Sequence, residues 1–260
     1  MSLHDIEVRI AGTKGISLVD VLNYPSFTVW FTGCNFRCPW CQNWPIVAEK
    51  VVRNVKVADI INEIEAESKF IDFVHVTGGE PTLQPKALEA LYTIVKRELK
   101  IKTSLNTNGF NFEIVKELIL KGLIDHIAID VKAPFSKPDM YEKVTGVNFG
   151  KKLVERIKRT VSFSITKLNF VELRTTFVPL LNNDNIFLIS NELKELGCDN
   201  NCHYVIQQFI PNENAPVDAY RHGEIISVEK LVSLAKEIRT QVGIKNIYVR
   251  SIEEGLTIVK

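Results

Sequence analysis

The sequence predicts an α/β fold, which we interpret as a partial, open (β/α)6-type barrel with a short N-terminal strand extension. Apolar, β-branched runs alternate with segments whose apolar residues recur at helical spacing, and Gly, Pro and Asn join them. Roughly six or seven such units are too many for a small sandwich and slightly few for a closed eight-stranded barrel. A doubly wound open sheet is the alternative, because alternation alone does not show whether a sheet closes.

The same patterns predict the individual elements. Strands are expected at residues 27–31, 72–76, 102–105, 126–131, 171–178, 204–209 and 246–249. Helices are expected at residues 57–64, 86–100, 112–120, 153–161, 185–196 and 228–242. We expect a single domain, with an extension at 1–26, a core at about 27–209 and a C-terminal segment at 210–260.

Composition excludes several classes of function. The 260 residues are 45% hydrophobic and 24% charged, as in an ordinary globular protein, and the net charge of +1 argues against nucleic-acid or membrane partners. No apolar run reaches the ~20 residues of a membrane span, and the N-terminus lacks the pattern of a signal peptide. A cytoplasmic location is therefore expected, where thiols stay reduced.

A loop of three cysteines follows the first predicted strand. Cys34, Cys38 and Cys41 have the spacing C-x3-C-x2-C. A cubane iron–sulfur cluster usually has four thiolate ligands, so three leave one iron open to a substrate or cofactor. Trp40 would place an aromatic face beside such a cluster and limit water there. A zinc site is the alternative, with a fourth ligand from Cys198, Cys202 or a histidine.

The cysteine loop and the Gly-Gly-Glu-Pro run after the second core strand resemble the radical S-adenosylmethionine (SAM) superfamily. The run from Tyr24 to Asn43 is similar to the activating enzymes of glycyl radical enzymes, above all those of anaerobic ribonucleotide reductase and pyruvate formate-lyase. The resemblance implies a radical SAM core, a [4Fe–4S] cluster held by the three cysteines, and SAM. It implies reductive cleavage of SAM to a 5′-deoxyadenosyl radical, which abstracts a hydrogen atom from a glycine of a partner protein.

The resemblance also assigns SAM contacts at the carboxyl ends of the strands. Gly78, Gly79 and Glu80 would bind the amino group of SAM, although a tight turn between strand and helix explains two glycines about as well. Asp130 and Lys132 would contact SAM, whereas a local ion pair is the alternative, because residues at alternate positions share one face of a strand.

The remaining contacts come from two strands and from the cysteine loop. Arg174 would bind the methionine carboxylate of SAM, and its alternative is a core acid such as Glu172, because an inward arginine needs an anionic partner. Asn106 stands where pyruvate formate-lyase activases have an aspartate beside a monovalent cation, and the neutral amide weakens that cation site. Gln42 replaces a common histidine and would lie beside adenine.

Cys198 and Cys202 have three interpretations: buried small hydrophobic residues, ligands of a metal together with His203, or a thermophile-type disulfide. The chain lacks a ferredoxin-like cysteine-rich insert, so we expect one cluster and an external electron donor such as ferredoxin or flavodoxin. The protein substrate would be a glycyl radical enzyme. The alternatives are a radical SAM enzyme acting on another protein or a small molecule, and a zinc- or cluster-stabilised binding module.

Overall fold

The computed structural model describes residues 2–260, and the chain forms two compact units. The first contains the residues up to 35 together with 43–107 and 113–128. The second contains residues 36–42, 108–112 and 129–260. The cysteine loop is therefore divided, because Cys34 lies in the first unit while Cys38 and Cys41 lie in the second.

The first unit is a mixed sheet with helices in its connections. Its strands are β1 (Glu7–Val21), β2 (Tyr24–Phe31), β3 (Arg53–Lys56), β4 (Phe73–Gly78), β5 (Lys102–Thr107) and the first three residues of β6 (His126–Asp130). Its helices are α1 (Trp44–Val47), α2 (Val57–Glu67), α3 (Pro85–Ile94) and α4 (Phe112–Leu120). Helix α3 continues as a π-helical turn at Val95–Leu99, and Phe112, the first residue of α4, belongs to the second unit.

The strand order of this unit is β6-β5-β4-β2-β1-β3. The pairs β2/β4 and β4/β5 are parallel, whereas β1 runs antiparallel to both β2 and β3. Parallel strands need long crossover connections, and these hold the helices of the first unit. The register pairs Phe31 with Gly78, so the cysteine loop and the Gly-Gly-Glu turn leave the sheet at the same edge.

The second unit continues from the end of β6 with the same alternation. Its further elements are α5 (Pro138–Thr145), α6 (Lys151–Lys167), β7 (Val171–Phe177), α7 (Asn183–Glu195), β8 (Cys202–Gln208), α8 (Val228–Gln241), β9 (Ile247–Ser251) and β10 (Gly255–Ile258). The order is β6-β7-β8-β9-β10, with β7/β8 and β8/β9 parallel and β9/β10 an antiparallel hairpin.

Within the second unit, one face of the sheet packs into an apolar core. Leu173, Ile206 and Val249 come from three neighbouring strands, and all are fully buried. Successive strand residues point to opposite faces, so Glu172, Arg174 and their neighbours lie on the other face. That face carries Arg174, the candidate contact of the SAM carboxylate.

Every strand and helix expected from the sequence is present, with boundaries that differ by a few residues. Four short elements were missed: α1, β3, α5 and β10. Each has at most eight residues, too few for a periodic pattern to be decisive. The predicted single-domain ranges remain a prediction.

Cys198 and Cys202 form a disulfide and are both fully buried. Of the three interpretations of this pair, the disulfide is confirmed, and the free hydrophobic residues and the metal ligands are wrong. No helix within residues 2–260 has the length and apolar character needed to cross a membrane.

Candidate cofactor site

The three loop cysteines all carry free thiols. Cys38 is buried, whereas Cys34 and Cys41 are partly exposed. Among residues 2–260, no three His, Cys, Asp or Glu side chains are grouped as metal ligands. Cys34 belongs to the first unit, and Cys38 and Cys41 belong to the second.

In the first unit, the Gly-Gly-Glu turn packs against the backbone that leads into Cys34. The Gly79 amide donates to the Phe31 carbonyl at 2.9 Å, and the Glu80 amide donates to the Gly33 carbonyl at 2.8 Å. A Cβ atom at residue 79 would lie 1.9 Å from the Gly33 oxygen, and one at Gly78 would lie 2.2 Å from the Phe31 oxygen. Close backbone contact therefore excludes a side chain at either position, as the alternative interpretation of a tight turn requires.

Glu80 is fully buried at the end of this turn. Its Oε1 atom accepts hydrogen bonds from the Thr82 amide at 3.0 Å, the Thr82 hydroxyl at 2.5 Å and the Thr107 hydroxyl at 2.8 Å. These donors fix the orientation of the carboxylate and offset part of the cost of burying it. A rigid anionic acceptor therefore stands at the carboxyl end of β4.

Asn106, near the end of β5, has a side-chain amide whose nitrogen forms a hydrogen bond and whose oxygen does not. Its Nδ2 atom donates to Thr77 Oγ1 at 3.1 Å, whereas the buried Oδ1 atom has no hydrogen-bond partner among residues 2–260. A buried acceptor left unsatisfied costs about 1–3 kcal/mol. A ligand with an N–H or O–H donor would remove that cost.

In the second unit, Trp40 forms one cluster with the charged pair at the end of β6, which is Asp130, the last residue of the strand, and Lys132. The Lys132 ammonium lies 3.0 Å from Asp130 Oδ2 and 5.1 Å from the centre of the Trp40 ring. The Trp40 indole donates to the Val144 carbonyl at 3.0 Å, and this bond orients the ring. The local ion pair between Asp130 and Lys132 is therefore present, and it lies beside the cysteine loop.

Two pKa values in this cluster are perturbed. Burial raises the pKa of the Cys38 thiol to about 12, although the positive charge of Lys132 opposes this rise. Burial lowers the pKa of Lys132, but the charge of Asp130, the charge of a Cys38 thiolate and the hydrogen bond to Asp130 together outweigh burial, so the net shift is upward. A metal ion bound to the Cys38 sulfur would lower the pKa of this thiol, because metal ligation requires the thiolate.

Arg174 pairs with a buried acid of its own strand. Its Nε and Nη2 atoms lie 2.8 Å and 2.6 Å from Glu172 Oε2, and Glu172 is fully buried. Arg250 Nη2 lies 3.9 Å from the same oxygen. The Glu172 alternative is therefore present in the structure, and the assignment of Arg174 to the SAM carboxylate remains a prediction.

Gln42 and Tyr141 are two further polar side chains of the second unit, and both form hydrogen bonds with backbone groups. Gln42 Nε2 donates to the Ile210 carbonyl at 3.0 Å, so its amide is anchored to the segment after β8. Tyr141 was missed by the sequence analysis, and its hydroxyl accepts a hydrogen bond from the Lys132 amide at 3.1 Å. No sequence signal marked Tyr141, because α5 itself was not predicted.

The chemistry of these groups fits an iron–sulfur cluster with SAM. Three thiols come from one loop, so a cluster would keep one iron free of protein ligands. The first unit supplies acceptors for an ammonium or hydroxyl group, namely the Glu80 carboxylate and the Asn106 carbonyl. The cations Lys132 and Arg174 of the second unit would suit a carboxylate.

The family is decided by comparison with known sequences. A family model of the radical SAM superfamily matches residues 28–187. The chain belongs to the radical SAM superfamily. Enzymes of this superfamily use a [4Fe–4S] cluster and SAM, which are the two cofactors expected from the sequence.

Two relatives show the range of functions around this radical SAM protein. A Methanocaldococcus jannaschii protein provisionally named a glycyl-radical enzyme activating enzyme is 34% identical over 209 residues, which cover 80% of this chain and 82% of the relative. A GTP 3′,8-cyclase of Rippkaea orientalis is 28% identical over 193 residues, which cover 70% of this chain and 54% of the cyclase.

Solved structures confirm the fold class, an α/β radical SAM core. SuiB of Streptococcus suis, bound to its precursor peptide SuiA, matches with a TM-score of 0.63 at 18% identity over 85% of this chain and 47% of SuiB. Methylornithine synthase matches with a TM-score of 0.60 at 17% identity over 90% of this chain and 74% of the synthase. The chain thus spans only about half of the cyclase and of SuiB, and these structural similarities show the fold alone.

Proposed function

We propose that this radical SAM protein activates a glycyl radical enzyme, such as an anaerobic ribonucleotide reductase. The observation that carries the proposal is the 34% identity to the M. jannaschii protein, over four-fifths of both chains. The cysteine loop supports it, because the run from Tyr24 to Asn43 resembles the activating enzymes. The substrate would be a glycine of a partner protein.

The cluster would be held by Cys34, Cys38 and Cys41, with SAM bound beside it. Together, reduced cluster and SAM supply a 5′-deoxyadenosyl radical that abstracts a hydrogen atom. The chain itself binds and orients these groups. Trp40, within the loop, would exclude water from the cluster, and Gln42 would lie next to adenine.

The polar groups would hold the amino acid part of SAM. Glu80, fixed by its three hydrogen bonds, would accept from the SAM ammonium together with the Gly78 carbonyl, while Gly79 lets the turn approach closely. Asn106 would supply its buried Oδ1 acceptor.

Charged side chains of the second unit would complete this site. Arg174 would bind the SAM carboxylate while keeping its ion pair with Glu172, because a guanidinium has five donors. Asp130 would hold Lys132 in place through their ion pair, and both would face SAM.

An external ferredoxin or flavodoxin would supply the electron, and the reaction would take place in an anaerobic cytoplasm. The alternative is a radical SAM enzyme with another target. The similarity to GTP 3′,8-cyclase favours a small-molecule substrate. However, this chain spans only 54% of the cyclase, so a large part of the cyclase has no counterpart in it.

Isotope transfer separates the two targets. A glycyl radical enzyme from the same organism would be prepared with deuterated glycine and incubated with the reduced, reconstituted protein and SAM. Activation predicts deuterium in the 5′-deoxyadenosine, measured by mass spectrometry. Unlabelled 5′-deoxyadenosine, formed at the same rate with and without the partner, would favour the alternative target.

A further inference from the structure

A basic surface lies beside the cysteine loop in the second unit. Residues 137–159 carry seven Lys and Arg but only three Asp and Glu, whereas the whole chain has a net charge of only +1. Lys143, Lys151 and Lys152 are exposed, as is Arg37 of the cysteine loop. Together with the exposed ring of Phe149, these four residues form what we call the basic patch.

Direct contacts place the basic patch next to the cysteine loop. The Arg37 amide donates to the Thr145 carbonyl at 2.9 Å, so the loop rests on the end of α5. A Cβ atom at Gly146 would lie 2.1 Å from the Arg37 oxygen, which shows how closely the two backbones meet. The residues that the loop contacts, Thr145 and Gly146, follow Lys143 closely in the sequence and precede Lys151 by one short turn.

An aromatic contact leads from the basic patch inward. Phe149, which is 43% exposed, stacks on Phe110 with 5.0 Å between ring centres. Phe110 in turn packs edge-on against buried Phe36, at 6.0 Å. Phe36 lies between Cys34 and Cys38 in the sequence, so packed side chains join the patch surface to the loop.

The lysines at the start of α6 have the charge that the helix dipole disfavours, although Glu142 Oε1 accepts a hydrogen bond from the Gly150 amide there. Lys151 and Lys152 occupy the first turn of a 17-residue helix, which has no acidic residue there and no side-chain cap. The helix dipole disfavours cations at that position. Local rules of this kind are broken mainly at functional sites.

We propose that the basic patch docks a small acidic electron-transfer protein of the ferredoxin class. The patch charge complements an acidic partner and would steer its approach, and the exposed Phe149 ring would provide an apolar centre for the interface. Electron transfer falls steeply with distance, so a donor must bind beside the cysteine loop. Ferredoxin clusters reach low reduction potentials, which suits a donor to another iron–sulfur cluster.

The redox step is a single electron transfer. The docked ferredoxin would give up one electron to the cluster that Cys34, Cys38 and Cys41 would hold, with no bond formed or broken. The inference rests on the proposed function only for its need of an external one-electron donor. It does not depend on which substrate the enzyme uses.

The test compares two reductants on one double variant. Lys151→Glu/Lys152→Glu reverses the patch charge in an exposed helix turn where the dipole favours acids, so folding should be preserved. The control, Lys230→Glu/Lys236→Glu, makes the same charge change on the exposed surface of α8. Each holoenzyme is driven either by a reduced acidic [4Fe–4S] ferredoxin or by dithionite, and 5′-deoxyadenosine is measured. Binding of the same ferredoxin is measured separately by calorimetry.

At low ionic strength we expect the patch variant to lose about ten-fold in ferredoxin-driven rate and in ferredoxin affinity. Its dithionite-driven rate should match that of the wild type, its melting temperature should not fall, and the control should be unchanged throughout. Wild-type ferredoxin affinity in the patch variant, or equal losses with both reductants, would overturn the proposal. Failure of the proposed function would look different, namely normal SAM cleavage without a radical on the partner protein.

Discussion

The guanidinium of Arg174 and the carboxylate of Glu172 form a buried ion pair two residues apart on β7, with the closest atoms at 2.6 Å. Both side chains face the polar side of the second sheet. An arginine placed this way keeps its orientation before any ligand arrives, because its acid is fully buried. The pair thus links the stability of the sheet to the predicted SAM contact.

Glu172→Ala should destabilise the protein by about 3–5 kcal/mol, because Arg174 would stay buried without its acid. Denaturant unfolding measures the change, and Glu237→Ala on the exposed face of α8 is the control. The double variant Glu172→Ala/Arg174→Ala should recover part of the loss. If the double variant is as unstable as the sum of both single variants, the pair is not coupled.

Gly79→Ala should lower both the melting temperature and the iron content after anaerobic reconstitution. The new methyl group would meet the Gly33 carbonyl at 1.9 Å and push the chain that leads into Cys34. Gly12→Ala is the matched control in the same unit, because nothing lies within 4 Å of the added atom. Wild-type iron content in Gly79→Ala would show that the loop tolerates a displaced turn.

Replacing any one of Cys34, Cys38 and Cys41 by Ala should abolish cluster assembly, which is measured as iron and sulfide per chain. The wild type should bind about four irons. The control is the double variant Cys198→Ala/Cys202→Ala, which removes the disulfide and should keep the iron. Zinc in place of iron, or loss of metal from the control, would instead support a zinc site with a fourth cysteine.

Asn106→Ala should raise the dissociation constant of SAM about ten-fold, because a ligand would lose one hydrogen bond to Oδ1. The variant loses the hydrogen bond to Thr77 but also removes a buried acceptor that has no partner, so the free energy of unfolding should change little. Calorimetry on the reconstituted enzyme measures both binding and stability. The control is Asn191→Ala, at an exposed position of α7. An unchanged affinity for SAM would exclude Asn106 from the site.

The sequence predicted the elements that position the site better than the contacts within it. Period-two and helical patterns are local, so the strands that precede Cys34, Glu80 and Asp130 could be recognised directly. Helix α5 was missed although Pro138 opens it and Gly146 closes it with a left-handed residue, because its eight residues are mostly polar. The contact between Tyr141 and Lys132 was therefore not expected.

Pairings between residues distant in sequence could not be derived from patterns. Trp40 bonds to Val144, and Phe36 packs on Phe110, through tertiary contacts that no spacing encodes. The disulfide of Cys198 was one of three open interpretations, because sequence separation does not show how two thiols are oriented.

The most direct test of the account is electron paramagnetic resonance on the reaction of this protein with a glycyl radical enzyme from the same organism. The reduced, reconstituted protein with SAM should produce a glycyl radical signal on the partner. That signal should disappear with Cys38→Ala and with a partner whose radical-bearing glycine is replaced by alanine. Normal cleavage of SAM without any glycyl signal would contradict the proposed activation.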